Sequence, residues 1–297
     1  MNHPQSAGAR FWDALEEETP LQVAGTVNAY CALLAEQAGF RALYLSGAGV
    51  ANASHGIADL GVTSLNDVLE EVRRITSVTK LPLLVDVDTG WGSALTIDRT
   101  VREMIRAGAA GVHLEDQIQE KRCGHRPGKQ LVEELEMVDR LKAAVNARSD
   151  PRFIIMARTD SYAIEGLGSA IERATKYSDA GADMIFAEAL ESLDQFHRFT
   201  SAVSVPVLSN LTEFGKTPIC TLDELKDAGV KIALYPLSAF RAMSAAAKTV
   251  YESIRKEGDQ SAVLDMMQTR DELYKVLNYQ TEERKLDMAV AEARIQK

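Results

Sequence analysis

The sequence predicts an α/β chain: a (β/α)8 barrel of the TIM type, followed by extra C-terminal helices. Two observations carry this. Eight short apolar runs each lead into polar residues and then a helical stretch, as expected of buried parallel strands covered on their outer face. Ala-Gly pairs at 38–39, 107–108, 180–181 and 228–229 each fall just before a strand. Glycine there suits the left-handed residue that ends a helix. Eight such units fit a closed barrel better than a doubly wound sheet.

The runs, in order, are Val23–Thr26, Ala42–Ser46, Leu83–Asp88, Gly111–Asp116, Phe153–Arg158, Met184–Glu188, Pro206–Asn210 and Ile232–Pro236. Thr221-Leu222-Asp223-Glu224 has the spacing of a capping box at a helix start. From about Phe240 onward the chain is rich in Ala, Met, Glu, Lys and Arg and shows no further strand. The expectation is one barrel domain over residues 1–297, with a helical appendage from about residue 245.

The formal net charge is −10, which supplies no basic field to neutralise nucleic-acid phosphates. An anionic substrate then needs a local cluster of cations. No apolar run has the length of a membrane span, and Met1-Asn2-His3-Pro4-Gln5 has no signal pattern. Cys31, Cys123 and Cys220 are widely spaced and odd in number, so they do not form a disulfide framework. A cytoplasmic enzyme or binding protein is expected.

Barrel active sites lie at the C-terminal ends of the strands. The residues following the runs are Ser46, Asp86 and Asp88, Glu115 and Asp116, Arg158 and Asp160, Glu188, Asn210 and Thr212, and Tyr235. So many carboxylates at one end repel one another, and a divalent cation relieves that. Oxygen donors without a histidine pair point to Mg²⁺ or Mn²⁺ rather than Zn²⁺. Asp86 and Asp88 are the sharpest candidates, because residues i and i+2 on a strand point the same way. Taken alone, Asp-x-Asp-x-Gly reads more readily as the end of a strand and the start of a loop. Glu115 and Glu188 at equivalent strand ends turn the balance toward a metal.

After the fourth run comes Lys121-Arg122-Cys123-Gly124-His125-Arg126-Pro127-Gly128-Lys129. Positive neighbours favour a thiolate, so Cys123 is expected to have a lowered pKa and to act as acid or base. The bland alternative is a solvated basic loop. Zinc is excluded because no second Cys or His stands at ligand spacing. Cys31 reads as core, and nothing around Cys220 suggests activation. A Schiff-base aldolase needs a lysine at a strand end, and none of the eight carries one.

These residues resemble the isocitrate lyase and phosphoenolpyruvate mutase superfamily, in its 2-methylisocitrate lyase branch. The Lys121–His125 loop is similar to the family signature. Tyr44-Leu45-Ser46-Gly47, Asp86-Val87-Asp88-Thr89-Gly90, Ala157-Arg158-Thr159-Asp160, Glu165-Gly166-Leu167, Asn210–Gly215, Tyr235–Arg241 and Gln268-Thr269-Arg270 follow in family order. The short chain and the Asn210-Leu211-Thr212 segment indicate the branch. Ala48 departs from it, standing where a third glycine is common, and its methyl narrows the pocket slightly.

The resemblance implies an oxo-acid lyase splitting 2-methylisocitrate into pyruvate and succinate in propionate breakdown. Mg²⁺, with Mn²⁺ able to substitute, is held by Asp86 and Asp88, with Glu115 acting through water. Cys123 is the acid on the succinate carbon, with Lys121 and His125 beside it. Tyr44, Asp59 and Glu115 are equal candidates for the base on the hydroxyl. Ser46, Gly47, Ala48, Cys123, Gly124, Arg158, Glu188, Asn210, Leu211, Thr212, Arg241 and Arg270 are implied to bind the tricarboxylate substrate. The resemblance also implies a homotetramer, a dimer of dimers with C-terminal helices exchanged between subunits. Two rivals stand beside this: an isocitrate or dialkylmalate lyase on the same scaffold, and a catalytically silent barrel. The second predicts loss of a chemical residue, and none is lost.

Overall fold

The computed structural model describes residues 5–295 of the chain. Eight parallel strands close a barrel in sequential order. They are β1 (Leu21–Gly25), β2 (Ala42–Leu45), β3 (Leu83–Asp86), β4 (Gly111–Glu115), β5 (Ile154–Thr159), β6 (Met184–Ala187), β7 (Val207–Asn210) and β8 (Ile232–Tyr235). The barrel closes where Leu21 to Ala24 of β1 pair with Ile232 to Tyr235 of β8.

Two separate cores follow from the two-residue period of a strand. Leu43, Leu45, Leu83, Val85, Val112, Leu114, Ile155 and Ile185 face outward and pack under the helices. Ala42, Tyr44, Leu84, Ile154, Met156, Met184, Phe186, Leu208 and Leu234 fill the lumen. The helix Ala7–Glu17 contributes Phe11, Ala14 and Leu15 to the lumen core. Its Gly8 lies so close to the turn before β5 that a Cβ would meet the Arg152 carbonyl at 2.3 Å.

Helices end as their sequence suggests. Gly39, Gly108, Gly181 and Gly229 all adopt positive φ after an alanine cap. Thr221 and Glu224 form the reciprocal capping box that starts Leu222–Asp227. The helix Leu65–Val78 buries Leu65, Val68, Leu69, Val72 and Ile75 at the spacing of one helical face.

The chain parts into two compact units, Met1–Phe240 and Arg241–Lys297. The first holds the barrel. The second contains most of the helix Ser238–Glu257, a 3-10 segment Ser261–Met266, and the helices Arg270–Val276 and Tyr279–Ile295. Among the described residues, no helix is long and apolar enough to cross a membrane.

Candidate active site

The strand period also builds the site. In the lumen, strands place alternate residues inward, and on six of the eight the inward position at or just past the C-terminal end is polar, whereas β1 and β8 carry Gly25 and Pro236 there. On β3 that position is Asp86, above Leu84. On β4 it is Glu115, above His113. On β5 it is Arg158, above Met156, and on β7 it is Asn210, above Leu208. Ser46 and Glu188 follow the ends of β2 and β6 in the same phase. All six are buried.

Asp86 and Asp88 converge, but not by the strand pleat that the sequence suggests. The strand stops at Asp86, and Asp88 lies in a turn with φ of 49°, a left-handed conformation uncommon outside glycine. The turn is held by the Asp88 backbone N–H, which donates to Asp86 Oδ1 at 3.0 Å. Asp86 Oδ2 accepts from the Gly47 backbone at 3.0 Å. A Cβ on Gly47 would stand 3.1 Å from Asp88 Oδ1 and 3.2 Å from Asp86 Oδ2, so glycine keeps both carboxylates open to a ligand. Lys121 Nζ bridges the pair to the next loop, at 2.6 Å from both Asp88 and Asp59.

Burial alone pushes these acids up. For Asp86 the opposing influence of His113, then of Lys121 and Arg158, wins, and it lies below the usual carboxylate range. Asp88, buried beside Asp86, is pushed up to about 6 despite Lys121. Burial raises Glu115 well above its ordinary value, against Arg158 and Lys121. Arg158 Nε lies 3.3 Å from Glu115 Oε2, yet without hydrogen-bond alignment, so both Glu115 oxygens lack a donor. Tyr44 is likewise raised well above its usual range by burial and by Asp86. Its hydroxyl lies 2.9 Å from His113 Nε2. His113 is pushed down to about 4 by burial and is neutral at pH 7. It stacks on Tyr44 and meets Phe186 edge-on.

The opposite wall is organised by Arg158. Its guanidinium reaches Asp160 at 3.0 and 3.3 Å, Glu115 at 3.3 Å and Glu188 at 3.2 Å. His125 Nε2 sits 2.9 Å from Glu188. Its Nδ1 accepts from the Lys216 backbone at 2.9 Å. Asn210 Nδ2 stands 3.4 Å from Glu188 and from His125. Gly124 fits against the same pair: a Cβ there would be 2.5 Å from Glu188 Cδ and 2.6 Å from Arg158 Nη2. Thr212 and Leu211 are buried after β7, Ala48 is half-buried after Gly47, and Asp59 meets the site through Lys121.

Two expectations are corrected here. Cys123 is exposed as a residue, yet packing about its sulfur raises the thiol, assisted by Glu188 and Asp59 and only partly offset by the His125 backbone and Arg158. The cations that should have favoured a thiolate are engaged elsewhere: Lys121 by Asp59 and Asp88, Lys129 by Asp160, His125 by Glu188. Lys121, His125 and Lys129 are therefore not free to attract an anion, which leaves that part to Arg122 and Arg126, both exposed on the loop. Arg241 and Arg270 belong to the second unit, where both are exposed.

The residues fit a divalent cation. Six carboxylates (Asp59, Asp86, Asp88, Glu115, Asp160, Glu188) share the mouth with three permanent cations, Lys121, Lys129 and Arg158. Buried oxygens of Asp88 and Glu115 lack hydrogen-bond donors. Among the described residues no three acidic, imidazole or thiol groups form a ready cage. That suits Mg²⁺, which binds through one or two carboxylates and keeps several waters. Sequence reasoning gave no role to His113 and read Lys129 only as one of the cations around Cys123. The inward phase of β4 was the available signal for His113.

Fold and mouth together define a (β/α)8-barrel enzyme with a carboxylate-rich, cation-ready site. The chain belongs to the phosphoenolpyruvate phosphomutase family, which residues 11–255 match. It is 59% identical to a 2-methylisocitrate lyase of Shewanella oneidensis over 95% of this chain and 97% of that one. It is 57% identical to a 2-methylisocitrate lyase of Escherichia coli over 98% of each. Among solved structures it is similar to 2,3-dimethylmalate lyase, a member of the PEP mutase/isocitrate lyase superfamily. That likeness has a TM-score of 0.89 and 34% identity, covering 97% of this chain and 96% of the other.

Proposed function

We propose that this chain is a cytoplasmic, magnesium-dependent lyase that splits 2-methylisocitrate into pyruvate and succinate in propionate breakdown. The observation that carries the reading is the docking of Cys123-Gly124-His125 onto Glu188 and Arg158 at the same mouth as Asp86 and Asp88. The high identity to 2-methylisocitrate lyases supports the choice of substrate.

Asp86 and Asp88 would hold Mg²⁺, with Glu115 behind water, and Mn²⁺ can substitute. Bound there, the ion supplies a Lewis acid for the hydroxyl and carboxylate of the pyruvate half. The chain's own groups manage the protons. Tyr44, Glu115 and Asp59, the last paired with Lys121 at 2.6 Å, are the groups proposed to accept the hydroxyl proton. The carbon–carbon bond then breaks and its electron pair moves into the succinate half. Arg158, His125, Asn210 and Thr212 line the wall that receives this charge. Cys123, a thiol rather than a thiolate, donates the proton that completes succinate. Ser46, Gly47, Leu211 and Glu188 shape the remaining pocket; for Arg241 and Arg270 the binding of further substrate carboxylates rests on the family resemblance alone.

Substrate choice rests on the lumen wall beneath the mouth. Phe186 and Leu234 are fully packed there, and Pro236 is buried beyond β8. An apolar wall receives the extra methyl of 2-methylisocitrate, an effect of about 1–3 kcal/mol. Keto-acid release from 2-methylisocitrate, isocitrate and 2,3-dimethylmalate should therefore give the highest kcat/KM for the first. A higher value for isocitrate overturns this assignment. Preference for dimethylmalate would instead favour the activity named for the similar solved structure.

The assembly is proposed to be a homotetramer, a dimer of dimers exchanging C-terminal helices. Tyr251 (72%), Leu264 (55%), Leu286 (64%) and Met288 (64%) are exposed in the second unit, a pattern that calls for a covering surface. Truncation before residue 260 should reduce both mass by light scattering and turnover. A fully active monomer would remove the exchange and the role given to Arg270.

A further inference from the structure

Lys129 is a cation of the Cys123 loop that the proposed chemistry leaves unused. Its side chain is 2% exposed, and a buried ammonium persists only where its charge and hydrogens are matched. The match is specific. Nζ donates to Asp160 Oδ1 at 2.8 Å and also to the carbonyl of Gly124, between Cys123 and His125.

Asp160 is in turn firmly placed. It accepts both Arg158 contacts, and its backbone N–H donates to Asp116 Oδ1 at 2.9 Å. The other Asp116 oxygen accepts from Thr159 at 2.7 Å and from Tyr177 at 3.0 Å. The loop is closed at its neck by backbone bonds Ile118 to Gln130 and Val132 to Asp116. The Gln117 side chain clamps both backbone groups of Arg122 at 2.9 Å. Beyond Arg122 the loop depends on Lys129 and on the docking of His125.

We propose that Lys129 is a positioning residue: by tying the Gly124 carbonyl to Asp160, it holds the Cys123 thiol against the wall that carries Arg158. The proposal rests on the lyase reading for its kinetic arm, while the thiol itself offers a readout independent of substrate. A positional error of about 1 Å lowers turnover by roughly 100-fold, so Lys129→Met should lower kcat by about that factor. KM should stay within about threefold, because the contacting groups remain.

In the same full-length variant, mass spectrometry should follow iodoacetamide labelling of each cysteine. The Cys123 rate should change by about fivefold or more, with Cys31 and Cys220 unchanged, as expected when one thiol's surroundings alone are altered. Lys129→Arg, which keeps the charge and the reach, should recover at least about tenfold of the lost kcat. Where methionine is not tolerated, Lys129→Gln should show the same two changes. A kcat within threefold of wild type with an unaltered Cys123 rate overturns the proposal. So does a parallel acceleration at all three cysteines, which marks general loosening. If the wild-type chain does not cleave 2-methylisocitrate, the lyase reading fails and the labelling arm alone judges Lys129.

Discussion

Asp88→Ala is expected to lower turnover of 2-methylisocitrate by about 1,000-fold, a loss of about 4 kcal/mol of electrostatic stabilisation, while leaving the barrel folded. Asp88 is outside β3, in a turn whose backbone bonds do not use its carboxylate. Its removal takes a buried acid, pushed up to about 6, away from Asp86. Lys121 keeps Asp59 as its partner at 2.6 Å. Circular dichroism should therefore match wild type. A thermal readout separates loss of metal from loss of fold. Ligand at a hundredfold over Kd stabilises by about 2.7 kcal/mol, so Mg²⁺ should raise the wild-type Tm by several degrees and leave that of Asp88→Ala unmoved. EDTA should abolish wild-type activity and Mg²⁺ restore it. Full turnover in chelated enzyme would remove Asp86 and Asp88 from the role given them.

The barrel was legible because its cause is local. Each apolar run is a strand, and the period of two that buries Leu84 also delivers Asp86 to the mouth. The strand-end residues Ser46, Glu115, Arg158, Glu188 and Asn210 could be named for the same reason. The charge state of the site was not legible, because it depends on pairings across the barrel. Lys121 and Lys129 look in sequence like a positive field around Cys123. In space they are neutralised by Asp59, Asp88 and Asp160, which stand on other loops. His113 illustrates a different gap. A histidine inside an apolar run reads as core, which it is, but only the closed lumen shows that it supports Tyr44 and lies 3.6 Å from Asp86. Asp88 comes beside Asp86 by a route the sequence did not show, since a left-handed turn rather than the pleat brings it there.

Cys123→Ser should fold, bind Mg²⁺ as wild type does, and lose turnover by about 1,000-fold, within the range assigned to a positioned general acid. The raised thiol gives this a definite sign. A lowered pKa would leave Cys123 as thiolate at neutral pH, fit to remove a proton but not to give one. Burial about the sulfur, with Glu188 and Asp59 nearby, favours the protonated form instead, which is the form cleavage requires. Serine is a far weaker acid, and no other thiol faces this mouth, since Cys31 lies in the core and Cys220 in a separate loop. The same shift predicts the pH behaviour of labelling. Alkylation requires the thiolate, so Cys123 should react more slowly than a free thiol at pH 7, and its rate should climb through a midpoint above the ordinary cysteine value. Bound succinate should slow the reaction by covering the sulfur. A midpoint below that of free cysteine would restore the thiolate, and a serine variant within tenfold of wild type would assign the proton on the succinate carbon to another group.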